Sequence, residues 1–245
     1  MREVCVVVPV YKEKLSVSEE EAVDRTVRVL HSRDIFFVTP DSMDSSYYKE
    51  RYPTAEVETF HQKYFKGIHA YNKLLLSKHF YQRFSNYKYL LIAQPDAIIL
   101  SSEDKLDYFM QPGFDYIGAP WKSDDKLYPV IFKGMDRVKV MKPLMARVGN
   151  GGFSLRKISS MLSVVETHPF AAAFSKWFKR TNEDTFLCYY LHAEKIYTMP
   201  PVHFAEEFAA EQAAKEVLNS GKIPYAIHAY EKVFGKSDVL KRYLE

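Results

Sequence analysis

The sequence predicts an α/β protein, with one domain built on an open mixed sheet that is flanked by helices. Three observations lead to this prediction. The 245 residues fit one large α/β domain. Residues 4–10 form a β-branched run that is typical of a strand buried on both faces. Strand and helix patterns then alternate through the first hundred residues. No repeat or linker interrupts the chain, so we expect a single domain over residues 1–245.

The first half contains four predicted strands and two predicted helices. The strands are at 4–10, 34–39, 55–60 and 87–100, and Pro95-Asp96 interrupts the last one. The helices cover residues 16–30, capped by Ser16 or Ser18, and 67–84. Ligands of such sheets bind beyond the carboxyl ends of the strands, so we expect the site at residues 9–12, 39–41 and 94–96.

The second half is less regular. We predict a short strand and turn at 114–120 and a terminal strand at 224–228. Residues 122–147 are polar and basic without a period, which indicates a long loop or hairpin, and 149–152 (GNGG) reads as a loop before a helix. The predicted helices run through residues 158–165, 171–180, 183–190 and 205–219.

Composition excludes several classes of protein. The 34 basic and 31 acidic residues leave a net charge of +3, which argues against a dedicated nucleic-acid binder. Two cysteines cannot build a disulfide framework or, alone, a zinc site. No stretch approaches the ~20 apolar residues of a membrane span, and the first apolar run is too short for a signal peptide. We therefore expect a cytoplasmic protein, for which contact with the inner face of the membrane stays open.

Two short segments are candidates for binding chemistry. Asp96, at the end of the central predicted strand, points a carboxylate toward the ligand crevice, where it could hold a divalent metal against a diphosphate. The alternative is a strand-ending Pro-Asp turn. The GNGG segment lets backbone approach a ligand closely, but it also suits a tight turn, and it is not the dinucleotide-binding GxGxxG fingerprint.

Single residues further along the chain carry weaker signals. Glu183 and Asp184 are adjacent carboxylates at a predicted helix N-terminus, a position that favours acidic residues for dipole reasons alone. His228 is one histidine in a short apolar segment, and the other histidines show no metal-binding spacing. GxSxG and Walker A motifs are absent from the sequence.

Taken together, the order of these elements resembles the GT-A fold of nucleotide-sugar glycosyltransferases, which is Rossmann-type. The similarity extends to a bacterial family assigned to polysaccharide synthesis and long described as a domain of unknown function. It is carried by segments 71–76 (YNKLLL), 89–96 (YLLIAQPD), 115–121 (DYIGAPW) and 148–156 (VGNGGFSLR).

This resemblance implies a nucleotide-binding half at 1–100 and an acceptor-binding half at 101–245. It implies that Asp96 and His228 hold Mn²⁺ or Mg²⁺ and that Asp184 is the catalytic base, with Glu183 as the alternative base or an acceptor-binding residue. Gln94 stands where many such enzymes have a first aspartate, and its amide would reach a sugar hydroxyl or a bound water. The remaining donor-binding residues implied are Val8, Pro9, Tyr11, Asp41, Gly151 and Gly152.

The expected activity is transfer of a sugar from a nucleoside-diphosphate sugar to a hydroxyl of a glycan or lipid-linked glycan acceptor, with inversion. Trp121 and the basic segment 122–147 would cover the diphosphate or recruit an anionic acceptor, or form a solvated loop. Tyr11, Tyr116, Trp121 and Phe153 are candidates for stacking on a base or sugar ring. Two other functions stay open: a non-catalytic nucleotide-sugar or glycan-binding protein, which Gln94 favours, and a sugar nucleotidyltransferase, which the glycine-free segment 11–15 disfavours.

Overall fold

The structure is a computed structural model that describes residues 2–121, 148–167, 182–193 and 196–235. The predicted basic loop at 122–147 and the predicted aromatic helix at 171–180 lie outside the described residues. In the helix that ends at Ala193, the side chains of residues 189, 190, 192 and 193 are likewise not described.

A six-stranded mixed sheet forms the centre of the molecule, in the order β3-β2-β1-β4-β7-β6. The four strands β3, β2, β1 and β4 are parallel, and β7 runs antiparallel to both β4 and β6. The predicted α/β class with an open mixed sheet is therefore confirmed. The strands of this sheet are β1 (Arg2–Pro9), β2 (Asp34–Pro40), β3 (Glu56–Phe60), β4 (Tyr87–Ala93), β6 (Tyr116–Pro120) and β7 (Val148–Lys157).

A second sheet of three short strands extends from the end of β4, in the order β5-β9-β8. The strand predicted at 87–100 is interrupted at Pro95-Asp96 as expected, but the part beyond the interruption leaves the main sheet and joins this smaller one. Its strands are β5 (Ala97–Ile99), β8 (Ala209–Ala210) and β9 (Ala226–His228). β5 pairs antiparallel with β9, and this pairing sets Ala97 opposite His228.

Helices flank the main sheet and join its strands. The first is capped by Ser16, whose hydroxyl accepts from the backbone of Glu19 while the Glu19 carboxylate accepts in return from the backbone of Ser16. The helices are α1 (Val17–Val29), α2 (Ser46–Arg51), α3 (Ile68–Leu75), α4 (Lys78–Arg83), α5 (Leu106–Met110), α6 (Ile158–Thr167), α7 (Glu183–Ala193), α8 (Val202–Phe208), α9 (Ala214–Asn219) and α10 (Tyr230–Phe234). None of them has the length and apolar composition that a membrane span requires, within the ranges described.

Three predicted elements differ from the structure. The helix predicted at 67–84 is two helices, because Ser77 caps a new helix by accepting from the backbone of Phe80. The helix predicted at 205–219 is split by β8. The GNGG segment, predicted as a loop, is part of strand β7, and the register between β7 and β6 is irregular there.

The two faces of the sheet are buried in separate apolar clusters. Val6 and Val8 face one cluster and Cys5 and Val7 face the other, as expected for a strand that is covered on both sides. The same packing overturns part of the stacking prediction. Tyr116 and Phe153 are fully buried in these clusters and cannot stack on a ligand.

Candidate active site

The turn between β4 and β5 presents Asp96 at the carboxyl end of a parallel strand. The backbone N–H of Gln94 donates to the carbonyl of Gly152 at 2.9 Å, and the N–H of Ala97 donates to the carbonyl of Gln94 at 2.8 Å. These bonds hold the turn against β7. The structure thus contains both the Pro-Asp turn and a carboxylate at the end of the strand, so the two interpretations of this segment do not exclude each other.

His228 lies directly beside this turn. Its Nε2 is 3.0 Å from the Gln94 Oε1 and 3.3 Å from the Asp96 Oδ1. On its other side, Nδ1 is 3.4 Å from the Glu211 Oε1, and the ring is almost fully buried. Asp96 and His228, which are 132 positions apart in the sequence, are therefore brought together by the β5–β9 pairing.

Asp96 and His228 each stabilise the charged form of the other. Burial opposes ionisation of Asp96, but hydrogen bonding and attraction to His228 outweigh it and lower the pKa of Asp96. Burial likewise opposes a charge on His228, but Asp96 and Glu211 raise the pKa of His228 to about 9. Asp96 and His228 therefore form a pair of opposite charges, and Glu211 adds a second acidic group beside the ring.

Gly152 makes room for the imidazole. A Cβ at this position would stand 2.1 Å from Nε2 and 2.2 Å from Cε1 of His228. Gly151 is also confined, though less tightly, since a Cβ there would stand 2.8 Å from the Glu183 Oε1 and 3.0 Å from the Asp184 Cβ. The absence of side chains at both glycines therefore lets β7 pass between His228 and the acidic pair.

The acidic pair opens helix α7 on the other side of these glycines. Asp184 accepts from the N–H of Gly151 at 3.0 Å through Oδ2 and from the N–H of Thr185 at 2.6 Å through Oδ1. Burial, followed by the neighbouring charge of Glu183, raises the pKa of Asp184 to about 7. Glu183 instead forms a buried ion pair with Arg156, at 2.8 Å between Oε1 and Nη2.

A cavity of about 350 Å³ opens at the carboxyl ends of β1 and β4. Of the predicted donor-binding residues, Pro9, Tyr11, Gln94 and Asp96 line it. The ring of Tyr11 is exposed and available to a ligand. Val10 and Pro95, which fall within the predicted ranges 9–12 and 94–96, line it as well. The other lining residues were not predicted: Glu19, Phe65, Gly67, Ile68 and Tyr71.

The remaining predicted residues lie elsewhere. The side chain of Val8 is fully buried in the core, and Asp41 accepts from the N–H of Gln62 on an exposed loop, outside the cavity lining. Gly151 and Gly152 stand behind the cavity, against the acidic pair and His228.

Two residues of the site carried no recognisable sequence signal. Glu211 lies in an alanine-rich segment that reads as plain helix, and it meets His228 only through the pairing of β8 with β9. Arg156 lies in the segment 148–156 that carried the resemblance, but nothing in its spacing indicates that its guanidinium is buried.

The chemistry of the donor set fits a divalent cation that is shared with a substrate. Within the described ranges, no group of three or more His, Cys, Asp or Glu side chains is placed to hold a metal ion by itself. Mg²⁺ and similar cations are commonly held by one or two protein ligands, with phosphate oxygens and waters completing the shell. Asp96 and the Nε2 of His228 would be such a pair once a cation displaces the proton that the raised pKa keeps on the ring. A carboxylate behind the other ring nitrogen, here Glu211, is the usual support of a metal-binding histidine.

Comparison with known proteins places the chain in a family. The family described as "Protein of unknown function (DUF5672)" matches residues 54–228. The chain belongs to the DUF5672 family. The match includes Asp96, Asp184, Glu211 and His228, whereas the cavity residues contributed by β1 precede it.

A solved structure extends the comparison of this DUF5672 protein to nearly its whole length. The match is to the crystal structure of a glycosyltransferase involved in the glycosylation of the major capsid of PBCV-1. It has a TM-score of 0.51 and 11% sequence identity, and it covers 98% of each chain. This likeness establishes a shared fold. No curated protein matches the sequence.

Proposed function

We propose that the protein is an inverting, metal-assisted glycosyltransferase that moves a sugar from a nucleoside-diphosphate sugar to a hydroxyl of a glycan acceptor. The observation that carries the proposal is that Asp96 lines the cavity, at the carboxyl end of a central parallel strand, and that the buried ring of His228 lies directly beside it. Open α/β sheets bind their ligands at this position. The shared fold with a glycosyltransferase gives independent support.

The donor nucleotide would occupy the cavity. The exposed ring of Tyr11 offers an aromatic face to the base, and Pro9 ends β1 at the cavity wall. The diphosphate would then lie at the Asp96 end of the cavity. No lysine or arginine is among the described lining residues, although Lys12 and Lys232 act on the charge of Asp96 from nearby. A bound cation would add its charge to theirs against the diphosphate.

Asp96 and His228 would hold that cation, and Gln94 would contact a sugar hydroxyl or a water bound to the cation. When bound, Mn²⁺ or Mg²⁺ supplies positive charge against the diphosphate leaving group. The chain contributes the placement of these ligands. Glu211 sits behind the imidazole, and Gly152 allows the ring to stand flat against β7.

Asp184 is the base in this proposal. It would take the proton of the acceptor hydroxyl as the acceptor oxygen bonds to the anomeric carbon and the bond from that carbon to the diphosphate oxygen breaks. A base with a pKa near the working pH suits this step, and burial with the Glu183 charge moves the pKa of Asp184 toward neutrality. Glu183 suits the role less well because Arg156 already holds its carboxylate.

A second candidate function is supported by one contact. The Nε2 of His228, the nitrogen proposed for the cation, is hydrogen-bonded to Gln94 rather than left free. A protein that binds a nucleotide sugar or glycan without turnover would tolerate this bond. Slow hydrolysis of a donor in the presence of Mn²⁺ favours the transferase, whereas donor binding without any turnover favours the second candidate.

The biological setting belongs to the proposal as well. The resemblance to a bacterial polysaccharide-synthesis family supports a lipid-linked glycan acceptor, handled in the cytoplasm at the inner face of the membrane. A panel of lipid-linked and free oligosaccharide acceptors, each incubated with the donors that bind, tests this part separately from the chemistry.

The decisive experiment measures donor binding and turnover with Asp96→Ala. Nucleoside diphosphates and their sugars are first screened by thermal shift with and without Mn²⁺, where a ligand at 100 times its Kd raises the free energy of unfolding by ~2.7 kcal/mol. We expect Asp96→Ala to lose the Mn²⁺-dependent part of the shift and all turnover. Asp107→Ala, which changes an exposed aspartate of α5, is the matched control. Retained metal-dependent binding in Asp96→Ala would contradict the site assignment.

Asp184→Asn tests the base. We expect turnover to fall by at least ~100-fold, the lower end of the loss for a general base, while donor binding stays near normal. An equal loss of donor binding would instead show that Asp184 holds the structure of the donor site.

A further inference from the structure

Arg156 is the largest fully buried side chain of the described residues, and it lies near the end of strand β7. Its Nη2 donates to the Glu183 Oε1 at 2.8 Å, its Nε donates to the Ser154 hydroxyl at 2.9 Å, and its Nη1 donates to the Tyr81 hydroxyl at 3.2 Å. The guanidinium also lies over the ring of Tyr116, at 5.3 Å from the centroid. A charge with this many partners inside a core is fixed in one orientation.

Burying this ion pair has a cost in the free energy of folding. Removing two charges from water carries a penalty of several kcal/mol per ion, and a buried ion pair is often no more stabilising than apolar residues of the same volume. The contacts of Arg156 are also directed to one place. Nη2 is 3.4 Å from the carbonyl of Gly151, the Ser154 hydroxyl donates to that same carbonyl at 2.9 Å, and the N–H of Gly151 donates to Asp184.

We propose that Arg156 is a positioning residue for the base. It pairs with Glu183 and anchors the backbone of Gly151 through its carbonyl, so that the Gly151 N–H fixes the orientation of the Asp184 carboxylate while the charges of Arg156 and Glu183 stand at fixed positions beside it. This inference rests on the proposed function, in which Asp184 accepts the proton of the acceptor. It adds a residue that touches no substrate and acts through two others.

The groups around Asp184 predict the direction in which each neighbouring charge shifts its pKa. Glu183 raises the pKa of Asp184, whereas Arg156 and the N–H groups of Gly151 and Thr185 lower it. Two other titratable groups interact with Asp184. Burial raises the pKa of each of them, so they stay neutral near pH 7: Tyr116 of β6 and Cys188 of α7. The two charges that can be altered are therefore those of Glu183 and Arg156, and they act on Asp184 in opposite senses.

The test is a titration of the Asp184 carboxyl carbon by NMR in protein carrying ¹³C-labelled aspartate, with the signal assigned by its loss in Asp184→Asn. We expect Glu183→Gln to lower the midpoint of Asp184 by about one pH unit or more and Arg156→Met to raise it by a similar amount, the usual scale for a charge at contact distance. In the double variant the two shifts should largely cancel. Arg33→Met, which removes a partly buried arginine just before β2, at the opposite end of the sheet, should leave the midpoint unchanged.

Arg156→Met removes the partner of the buried Glu183 carboxylate, and this loss can prevent the variant from folding. Glu183→Gln and the double variant then carry the measurement. Unmoved Asp184 midpoints in folded variants overturn the inference. It is also overturned if all three variants fail to fold while Arg33→Met folds, because Arg156 would then be purely structural.

The readout separates this inference from the proposed function. Full turnover in Asp184→Asn would refute the role of Asp184 as base but would leave the titration shifts intact. Unmoved midpoints together with lost turnover in Asp184→Asn would refute the role of Arg156 and leave the proposed function standing.

Discussion

Gly152→Ala adds one methyl group at the most confined point of the candidate site. The new Cβ would stand 2.1 Å from the Nε2 of His228, 2.2 Å from Cε1 and 2.4 Å from Cδ2. Non-bonded atoms of this kind need about 3.5 Å, so the imidazole or the strand has to move by roughly 1.4 Å. The ring has little space for this movement, because Gln94, Asp96 and Glu211 hold it at 3.0, 3.3 and 3.4 Å.

The expected result is a specific loss of metal binding with a moderate loss of stability. Metal–ligand distances tolerate changes of only ~0.2 Å, so a displaced His228 should weaken Mn²⁺ binding by at least ~10-fold. Overpacking a core typically costs about 1–3 kcal/mol, which lowers the Tm of a chain of this size by roughly 2–12 °C. Mn²⁺ affinity in the presence of a nucleoside diphosphate is measured by isothermal titration calorimetry, and the Tm by circular dichroism.

Two further variants separate the clash from general instability. Gly221→Ala places a methyl group where no atom lies within 4 Å, at a φ of +82°, so it should lower the Tm and leave Mn²⁺ affinity unchanged. In Gly152→Ala/His228→Ala the ring is gone, and the Tm should equal that of His228→Ala. Normal Mn²⁺ affinity in Gly152→Ala, or a Tm of the double variant well below that of His228→Ala, would refute the reasoning.

Two other predictions follow from the same geometry. Because the pKa of Asp184 is raised to about 7, kcat/KM should rise about tenfold per pH unit below pH 7 and level off above it; a profile that is flat from pH 5 to 8 would contradict Asp184 as base. The same raised pKa means that the folded state binds the Asp184 proton more tightly than the unfolded state does. Protonation of Asp184 therefore stabilises the fold fully below about pH 3.9, and this stabilisation is lost as pH rises through about 7. Denaturant titrations at several pH values should find this dependence in the parent protein and not in Asp184→Asn. Glu211→Gln should weaken Mn²⁺ binding by ~10–100-fold, measured by calorimetry, because it removes the carboxylate charge behind the Nδ1 of His228. The matched control is Glu206→Gln, which changes a half-buried glutamate paired with Lys222.

Some of the site follows from the sequence because it depends on local pattern. The run at 4–10 and, apart from Lys88, the strand before Gln94 are apolar, which favours a place for both inside a parallel sheet with their carboxyl ends at one edge. That reasoning pointed to residues 9–12, 39–41 and 94–96; Pro9, Tyr11 and Asp96 line a common cavity, whereas residues 39–41 do not.

Other local predictions failed where a few residues redirect the chain. The glycines of 149–152 suggested a loop, yet cross-strand hydrogen bonding keeps them in β7. The alanine-rich pattern at 205–219 suggested one helix, yet pairing with β9 pulls Ala209 and Ala210 into a strand. In both segments a tertiary partner outweighs the intrinsic preference of the residues.

The sequence by itself therefore determined the fold class, the buried strands and the edge of the sheet where the cavity opens, because hydrophobic period and chain order are enough for these. Only the tertiary structure decided which polar groups meet. The contact of Glu211 with His228, the burial of Arg156 against Glu183, and the passage of two glycines between the two halves of the site all join residues on different elements. Sequence spacing carries no record of such contacts, since they depend on how antiparallel β7 and the small β5-β9-β8 sheet pack against the parallel strands.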